Sequence, residues 1–361
     1  MAEGSIYRLD WSQVNFRGGV MSVGVIVGVA ALLILFGTLG ITVGLAALFV
    51  MIGDQPGTLR SRLTVVFSFT VVGALLAFVG AWAGASHPLA ATVLMVVIVY
   101  MATVAAALGK PAAVRGLLMA IWVVLALSLS GSVDTPAKLA LAFLIGGLLA
   151  GVGVWVYGLL RPSEDSGEQR PPVVSTLIDQ VRAPLGQFAL IRGLSAGLAT
   201  YLGTVLFPDF PVWTVIAVLV ILQQQREATL QIGLLRTAGT VLGVAIASAV
   251  LVIIGDSEPV VVSALLASGF GMIALQKVNY AVFTLFLTAM LVFALHVSGD
   301  DAIAGGIARL LATLVGAGIA LSPSSSQPEP RTRSEADPDF QVRCGPVPKD
   351  RADKPHPQGR T

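Results

Sequence analysis

Pro88 to Leu108 reads PLAATVLMVVIVYMATVAAAL, twenty-one residues without a charge. An α-helix of about 20 predominantly apolar residues crosses the hydrocarbon core of a bilayer, with a range near 17 to 25. This stretch therefore predicts a membrane span. Just before it, 62–83 (RLTVVFSFTVVGALLAFVGAWA) is a second such run, and only Gly84 to His87 separates the two. Working outwards, the alternation of apolar run and polar punctuation extends from Val20 to Leu321. It gives twelve helical segments: 20–36, 40–53, 62–83, 88–108, 113–130, 138–160, 188–207, 211–224, 232–254, 259–275, 279–297 and 302–321.

Composition points the same way. Of 361 residues, 55% are apolar and 12% charged, whereas soluble domains carry about 25% charged residues. Mean hydropathy is +0.86. The fold class is an all-α polytopic membrane protein of about twelve transmembrane helices, arranged as two parallel six-helix repeats. Met1 to Gly19 lacks a short apolar run ending in a small-residue cleavage site and reads as a cytoplasmic N-terminal segment. The repeats are 20–160 and 188–321, joined by a charged, proline-containing linker at 161–187. From 322 to 361 the chain turns to Ser, Pro, Arg and Asp, a composition too polar to fold alone, and reads as a disordered cytoplasmic tail.

A net charge of +2 gives no polyanion-binding signal, so nucleic acid is not an expected partner. The lone Cys344 rules out an internal disulfide framework and cysteine-based metal sites. No HExxH, nucleophile elbow, Walker A loop or pair of intramembrane carboxylates is found. The expectation is a protein that is not an enzyme and has no cofactor or metal.

Orientation follows from the connections. With the N-terminus inside, cytoplasmic connections hold Arg8, Arg17, Arg60, Arg62, Lys110, Arg115, Arg161, Arg170, Arg182, Arg192, Arg226, Arg236 and Lys277. Outer ones hold Lys138 alone, with Asp134, Asp209, Asp256, Glu258, Asp300 and Asp301. Both termini are thereby cytoplasmic.

The halves also match in letters. Thr42–Thr58 lies without a gap over Trp213–Thr229, pairing Ala46 with Ala217, Leu48 with Leu219 and Thr58 with Thr229; ALSLSG at 126–131 lies over ALHVSG at 294–299. An even helix number per half makes the repeats parallel, and their interface is the expected permeation path.

Within the second half the pattern RxxxTxxG occurs twice, as Arg236, Thr240, Gly243 and as Arg309, Thr313, Gly316. Offsets of four and seven put the three residues on one helical face. An arginine at mid-bilayer costs about 2.5–3.5 kcal/mol on insertion scales, so it usually faces a polar interior. One reading is an anion site, since guanidinium groups stay charged and bind carboxylates bidentately. The other is that Arg236 snorkels to the interface while Arg309 binds backbone carbonyls or an outer acid. The first half keeps only Lys138 and Arg62 near the equivalent glycines, so an anion site belongs mainly to the second half.

Segments 40–53 and 211–224 are short and occupy equivalent places in the two halves, a pointer to a transporter binding site. The second opens at Trp213, which either stacks on an aromatic substrate or anchors in the headgroup belt. It ends in the polar run Gln223, Gln224, Gln225, Arg226. The pairs Gly40/Gly44, Gly147/Gly151 and Gly239/Gly243 read as close-packing contacts. His87 and His296 fall near the outer boundary and His356 in the tail, so none is a buried proton relay. No carboxylate falls in the middle of a helix, which leaves obligatory proton coupling without a carrier group.

The stretches ALIRGLSAGLATYLG (189–203), FPVWTVIAVLVILQQQREATL (210–230) and LLRTAGTVLG (234–243) resemble the fusaric acid resistance, or aromatic acid exporter, family of bacterial membrane proteins. The resemblance rests on Arg192, Trp213, Gln223, the run Arg236, Gly239, Thr240, Gly243, and then Arg309, Thr313, Gly316. It implies a two-repeat unit of the bacterial cytoplasmic membrane that exports aromatic or other organic acids. In plant malate channels with a similar six-helix unit, basic residues of the third and sixth helices line an anion pore, and Arg236 and Arg309 match those helices. Larger members carry a sizeable soluble cytoplasmic domain, whereas here the linker is confined to 161–187 and the tail reads as unstructured.

The function expected is therefore an organic-anion permease or exporter with an Arg-lined path between the repeats, in the lipid bilayer and with a small organic anion as substrate. Arg236 and Arg309 would attract the carboxylate, Thr240 and Thr313 hydrogen-bond it, and Trp213 with Gln223 shape the cavity. A passive anion channel and a non-transporting membrane scaffold are the alternatives, and a homo-oligomer is compatible with each.

Overall fold

The computed structural model describes residues 10–54, 57–129, 136–160, 184–254 and 257–324. Arg8, Asp134, Arg161, Arg170, Arg182, Asp256, Cys344 and His356 lie outside the described residues, as do most of the linker and nearly all of the tail. The described residues hold twelve α-helices and no strand. These are α1 (Phe16–Phe36), α2 (Thr38–Gly53), α3 (Leu59–Ser86), α4 (Pro88–Val104), α5 (Lys110–Leu129), α6 (Pro136–Leu160), α7 (Pro184–Leu206), α8 (Val212–Ile221), α9 (Arg226–Ile254), α10 (Glu258–Ala274), α11 (Tyr280–Val297) and α12 (Ala302–Ser324). Eight are long and apolar enough to cross a membrane; in α1, α2, α8 and α10 the apolar run is shorter.

Local chemistry sets several helix starts. His87 caps α4, its Nδ1 accepting from the Leu89 amide at 3.1 Å with Pro88 at the first helical position, where a missing N–H costs nothing. Asn279 caps α11 by accepting from the Ala281 amide at 2.8 Å. Several helices begin earlier than hydropathy marks, among them α1 at Phe16, α3 at Leu59, α7 at Pro184 and α9 at Arg226. Hydropathy locates the hydrocarbon, and a helix whose first turn is polar continues past it.

The outer surface is apolar. Phe67, Leu75, Phe78 and Trp82 on α3 and Val93, Val97 and Met101 on α4 are all exposed. Contiguous apolar surface of this extent is not sustained in water and is matched by lipid. The protein is an all-α, multi-pass membrane protein.

The helix pairs of the first half recur six places later. α1 packs on α2, α2 on α6, α3 on α5 and α6, and α4 on α5; likewise α7 packs on α8, α8 on α12, α9 on α11 and α12, and α10 on α11. Between the halves, α4 packs on α7 and α1 on α10. The correspondence reaches single contacts. A Cβ added to Gly146 of α6 would meet Ala46 of α2 at 2.8 Å and crowd the Val43 carbonyl. One added to Gly316 of α12 would meet Ala217 of α8 at 2.6 Å and the Thr214 carbonyl at 2.7 Å. Ala46 and Ala217 are the alanines paired by the ungapped overlay of Thr42–Thr58 on Trp213–Thr229.

The connections alternate between two ends. One carries Arg60, Lys110, Arg226 and Lys277 and is called the basic end; the other, carrying Asp209, Glu258, Asp300 and Asp301, is the acidic end. Asn15, just before α1, donates its amide to Ala274 at the end of α10 (2.8 Å), which places the start of α1 at the basic end.

Candidate functional site

The two RxxxTxxG runs turn inward as their spacing requires: Arg236, Thr240, Gly243, Arg309, Thr313 and Gly316 are all buried. The glycines let the helices close. Gly239 and Gly243 of α9 sit against the backbone of α11, where an added Cβ would meet Thr284 and Thr288 Cβ at 2.8 Å. Gly316 seats α12 on α8 in the same way. Each close approach delivers one arginine to a partner helix.

Arg236 donates from Nη1 to the Tyr280 hydroxyl at the start of α11, 3.0 Å away. With 4% of its surface exposed, it does not snorkel. Arg309, 3% exposed, stacks its guanidinium over the Trp213 ring at 4.0 Å and donates from Nε to Thr288 Oγ1 at a long 3.4 Å. Trp213 thus serves the arginine, and its ring face is occupied by that cation rather than by a headgroup. The Thr313 hydroxyl donates to the Arg309 carbonyl at 2.8 Å, and Thr240 is buried on the arginine face of α9.

Neither guanidinium has a carboxylate partner among the described residues. Arg236 Nε and Arg309 Nη1 are buried without a hydrogen bond, and the charge of Arg236 acts on Arg309. An unpaired buried charge is costly, and here two of like sign share one region. Beside Arg309 lies a cavity of about 120 Å³, lined by Trp213, Val292, Leu295, Ser298 and Gly305, toward the acidic end. It has room for several waters.

The expected residues do not all meet. Arg236, Arg309, Thr313 and Trp213 gather between α8, α9, α11 and α12. That places the arginines inside the second half and off the seam between halves, where the sequence reading puts the path. Gln223 lies just past the other end of α8, whose rise from Trp213 to Ile221 is about 12 Å. Its side-chain amide donates to the Val220 carbonyl at 2.8 Å, and it lines a different cavity with Arg192. In return, α11 supplies Tyr280, Thr284 and Thr288. Their i, i+4, i+8 spacing in YAVFTLFLT is a polar stripe visible in the sequence.

Among its described residues the first half has no such cluster. Counted back from Gly73 as from Gly243, Thr70 stands for Thr240 and Val66 for Arg236. Counted back from Gly146 as from Gly316, Phe143 stands for Thr313 and Leu139 for Arg309. All four are buried, and Trp122 fills the space, 4.6 Å from Phe143 and 5.6 Å from Phe49 between ring centroids. A guanidinium site on one side is an aromatic core on the other.

Residues 194–322 match the family model described as "Fusaric acid resistance protein-like", which makes this part of the chain similar to a family of membrane transporters. The match contains both arginines, their threonines, Trp213 and α11. Neither a curated protein nor a solved structure matches the chain.

Proposed function

We propose that this protein is a permease or exporter of organic carboxylate anions in the cytoplasmic membrane of a bacterium, with its basic end facing the cytoplasm, and that it performs no covalent chemistry. The observation that carries the reading is the pair of buried guanidinium groups, each with an unpartnered nitrogen and no acidic neighbour among the described residues. An ion pair built for stability would hold its own carboxylate. A site that leaves the counter-charge out is completed by an anion from outside, and charge-assisted hydrogen bonds to arginine are the strong ones.

Trp213 gives the site an aromatic wall beside the cation, which favours a carboxylate with an apolar body over a small inorganic anion. Thr288 and Tyr280, each already touching an arginine, can turn their hydroxyls to an incoming carboxylate. The two halves act as one repeated unit in which only the second keeps the charged face, so one such site serves each chain. The match over residues 194–322 supports the transport class.

Uptake by reconstituted vesicles, measured with a panel of aromatic and aliphatic acids with and without an imposed proton gradient, tests the reading. The expected result is flux of several carboxylates, strongest for apolar monocarboxylates such as benzoate, in wild type. A flat response across the panel in correctly inserted protein overturns it and leaves a membrane scaffold.

A further inference from the structure

The seam between the halves has cavities of its own. There α4 and α5 of the first half face α7 and α8 of the second, and apolar side chains of all four join in one buried cluster. Toward the basic end a cavity of about 150 Å³ lies between Thr103, Leu117, Phe188, Arg192 and Gln223. Toward the acidic end another of about 190 Å³ lies between Ala91, Ser128, Thr200, Thr204 and Val215.

All four helices contribute to both cavities. Between them, α4 runs from Ala91 to Val99, α7 from Arg192 to Thr200, α5 from Ala120 to Val124 and α8 from Val215 to Leu219. Those spans are four or eight residues, so the septum is about 6–12 Å thick at 1.5 Å rise per residue. Met95, Val123, Ala196 and Val218 build it, each fully buried.

Arg192 defines the chemistry of the basic-end cavity. α8 stops after ten residues at Ile221 and the chain is not helical again until Arg226, which orphans the last carbonyls of α8. Arg192 takes one, donating from Nη2 to Leu219, and the Gln223 side chain takes Val220. The Gln223 backbone N–H donates to Thr229 Oγ1 at 3.0 Å. Interrupted backbone of this kind inside a membrane protein belongs beside a cavity. Capping uses only part of the guanidinium, because Arg192 Nε is buried without a partner. Among the described residues no acidic side chain lines the cavity, and Gln224 is among those that do.

We propose that this cavity is a second carboxylate site, held by Arg192 with the glutamine amides, at the basic mouth of a route that follows the seam and is closed by the apolar septum. Its wall of Val99, Leu117 and Phe188 selects an anion with an apolar body, such as benzoate. This rests on the reading of the chain as a carboxylate transporter, but does not require the Arg236–Arg309 site to be its route.

The test uses the full chain with Cys344→Ser and a single new thiol, Thr103→Cys, in sealed vesicles. A membrane-impermeant methanethiosulfonate should label the thiol from the basic end only. Benzoate at ten times its half-saturating concentration should slow labelling about tenfold by simple occupancy. Arg192→Gln should abolish that protection, and so should Ala113→Phe, which fills the cavity without touching the α8 cap. Arg309→Met should leave it intact. Labelling that benzoate does not slow while benzoate flux continues overturns the site and keeps the transport reading. Protection without flux keeps the site and overturns the transport reading. Protection that survives both Arg192→Gln and Ala113→Phe places the anion elsewhere and overturns the proposal.

Discussion

Replacing Arg309 by Met separates a residue kept for anion binding from one kept for stability. A mid-membrane arginine costs about 2.5–3.5 kcal/mol on insertion scales. In the empty protein Arg309 recovers about 1–2 kcal/mol from the Trp213 face at 4.0 Å, and under about 1 kcal/mol from the 3.4 Å hydrogen bond to Thr288. Its Nη1 is unpartnered and Arg236 repels it, so a deficit of about 1 kcal/mol remains. Methionine has similar length and no charge. Arg309→Met should therefore melt at or slightly above the wild-type temperature in detergent, by about 1–2 °C if the deficit is fully released. Benzoate flux should fall about 10- to 100-fold, since a charge-assisted hydrogen bond is worth about 1.5–3 kcal/mol. Saturating benzoate should stabilise wild type more than the variant, which keeps only the Arg192 site. Differential scanning fluorimetry with and without benzoate, paired with vesicle uptake, reads all three. A variant that melts several degrees lower yet carries benzoate at the wild-type rate per folded molecule would refute the reasoning, because it would make Arg309 a structural clamp.

Four further substitutions probe the packing and the polar partners. Gly316→Ala and Gly146→Ala make the same intrusion in the two halves, toward Ala217 and Ala46 respectively, so both should destabilise by about 1–3 kcal/mol; only Gly316→Ala, which pushes α12 off α8 and Arg309 off Trp213, should also lower flux per folded molecule. Tyr280→Phe removes the acceptor of Arg236 Nη1 and should lower the melting temperature of the anion-free protein by the equivalent of about 2 kcal/mol, while the stabilisation by benzoate grows because the anion replaces the lost partner. Asp54→Asn breaks the bidentate contact in which Arg62 Nε lies 3.1 and 3.2 Å from the two carboxylate oxygens. That pair is partly buried, at 14% and 10% side-chain exposure, so the loss should fall between surface and buried values, about 1–2 kcal/mol, with benzoate flux unchanged.

Much of this was written in the chain. Among the described residues each of the twelve apolar runs becomes a helix, and eight are long and apolar enough to cross a membrane, because segment length and hydrocarbon thickness are the same constraint there. The RxxxTxxG faces point inward because an arginine, a threonine and a glycine at offsets of four and seven share one side of a helix. What stayed hidden depends on where helices touch. Gln223 follows Trp213 closely in sequence, yet the helix from Trp213 to Ile221 rises about 12 Å and leaves it at the other end, in the company of Arg192. Arg192 itself falls on the edge of an apolar run and reads as a connection residue; its burial comes from the early end of α8, whose free carbonyl it meets. Tyr280, Thr284 and Thr288 carry a helical-period signal that gained meaning only when Gly239 and Gly243 brought α9 against them. The letters also place the arginines on a repeat interface, whereas the fold encloses them within one repeat and gives the interface to Arg192.

The central claim is that the buried guanidinium pair of α9 and α12 awaits an organic anion, and locating a heavy-atom carboxylate in the protein tests it most directly. With 4-iodobenzoate bound, anomalous scattering from crystals of the full chain should show iodine in the cavity beside Trp213, with the carboxylate turned toward Arg309. The same soak of Arg309→Met should lose the peak. Iodine absent from that cavity in protein that carries 4-iodobenzoate across vesicles, or an unchanged peak in the variant, would contradict the account.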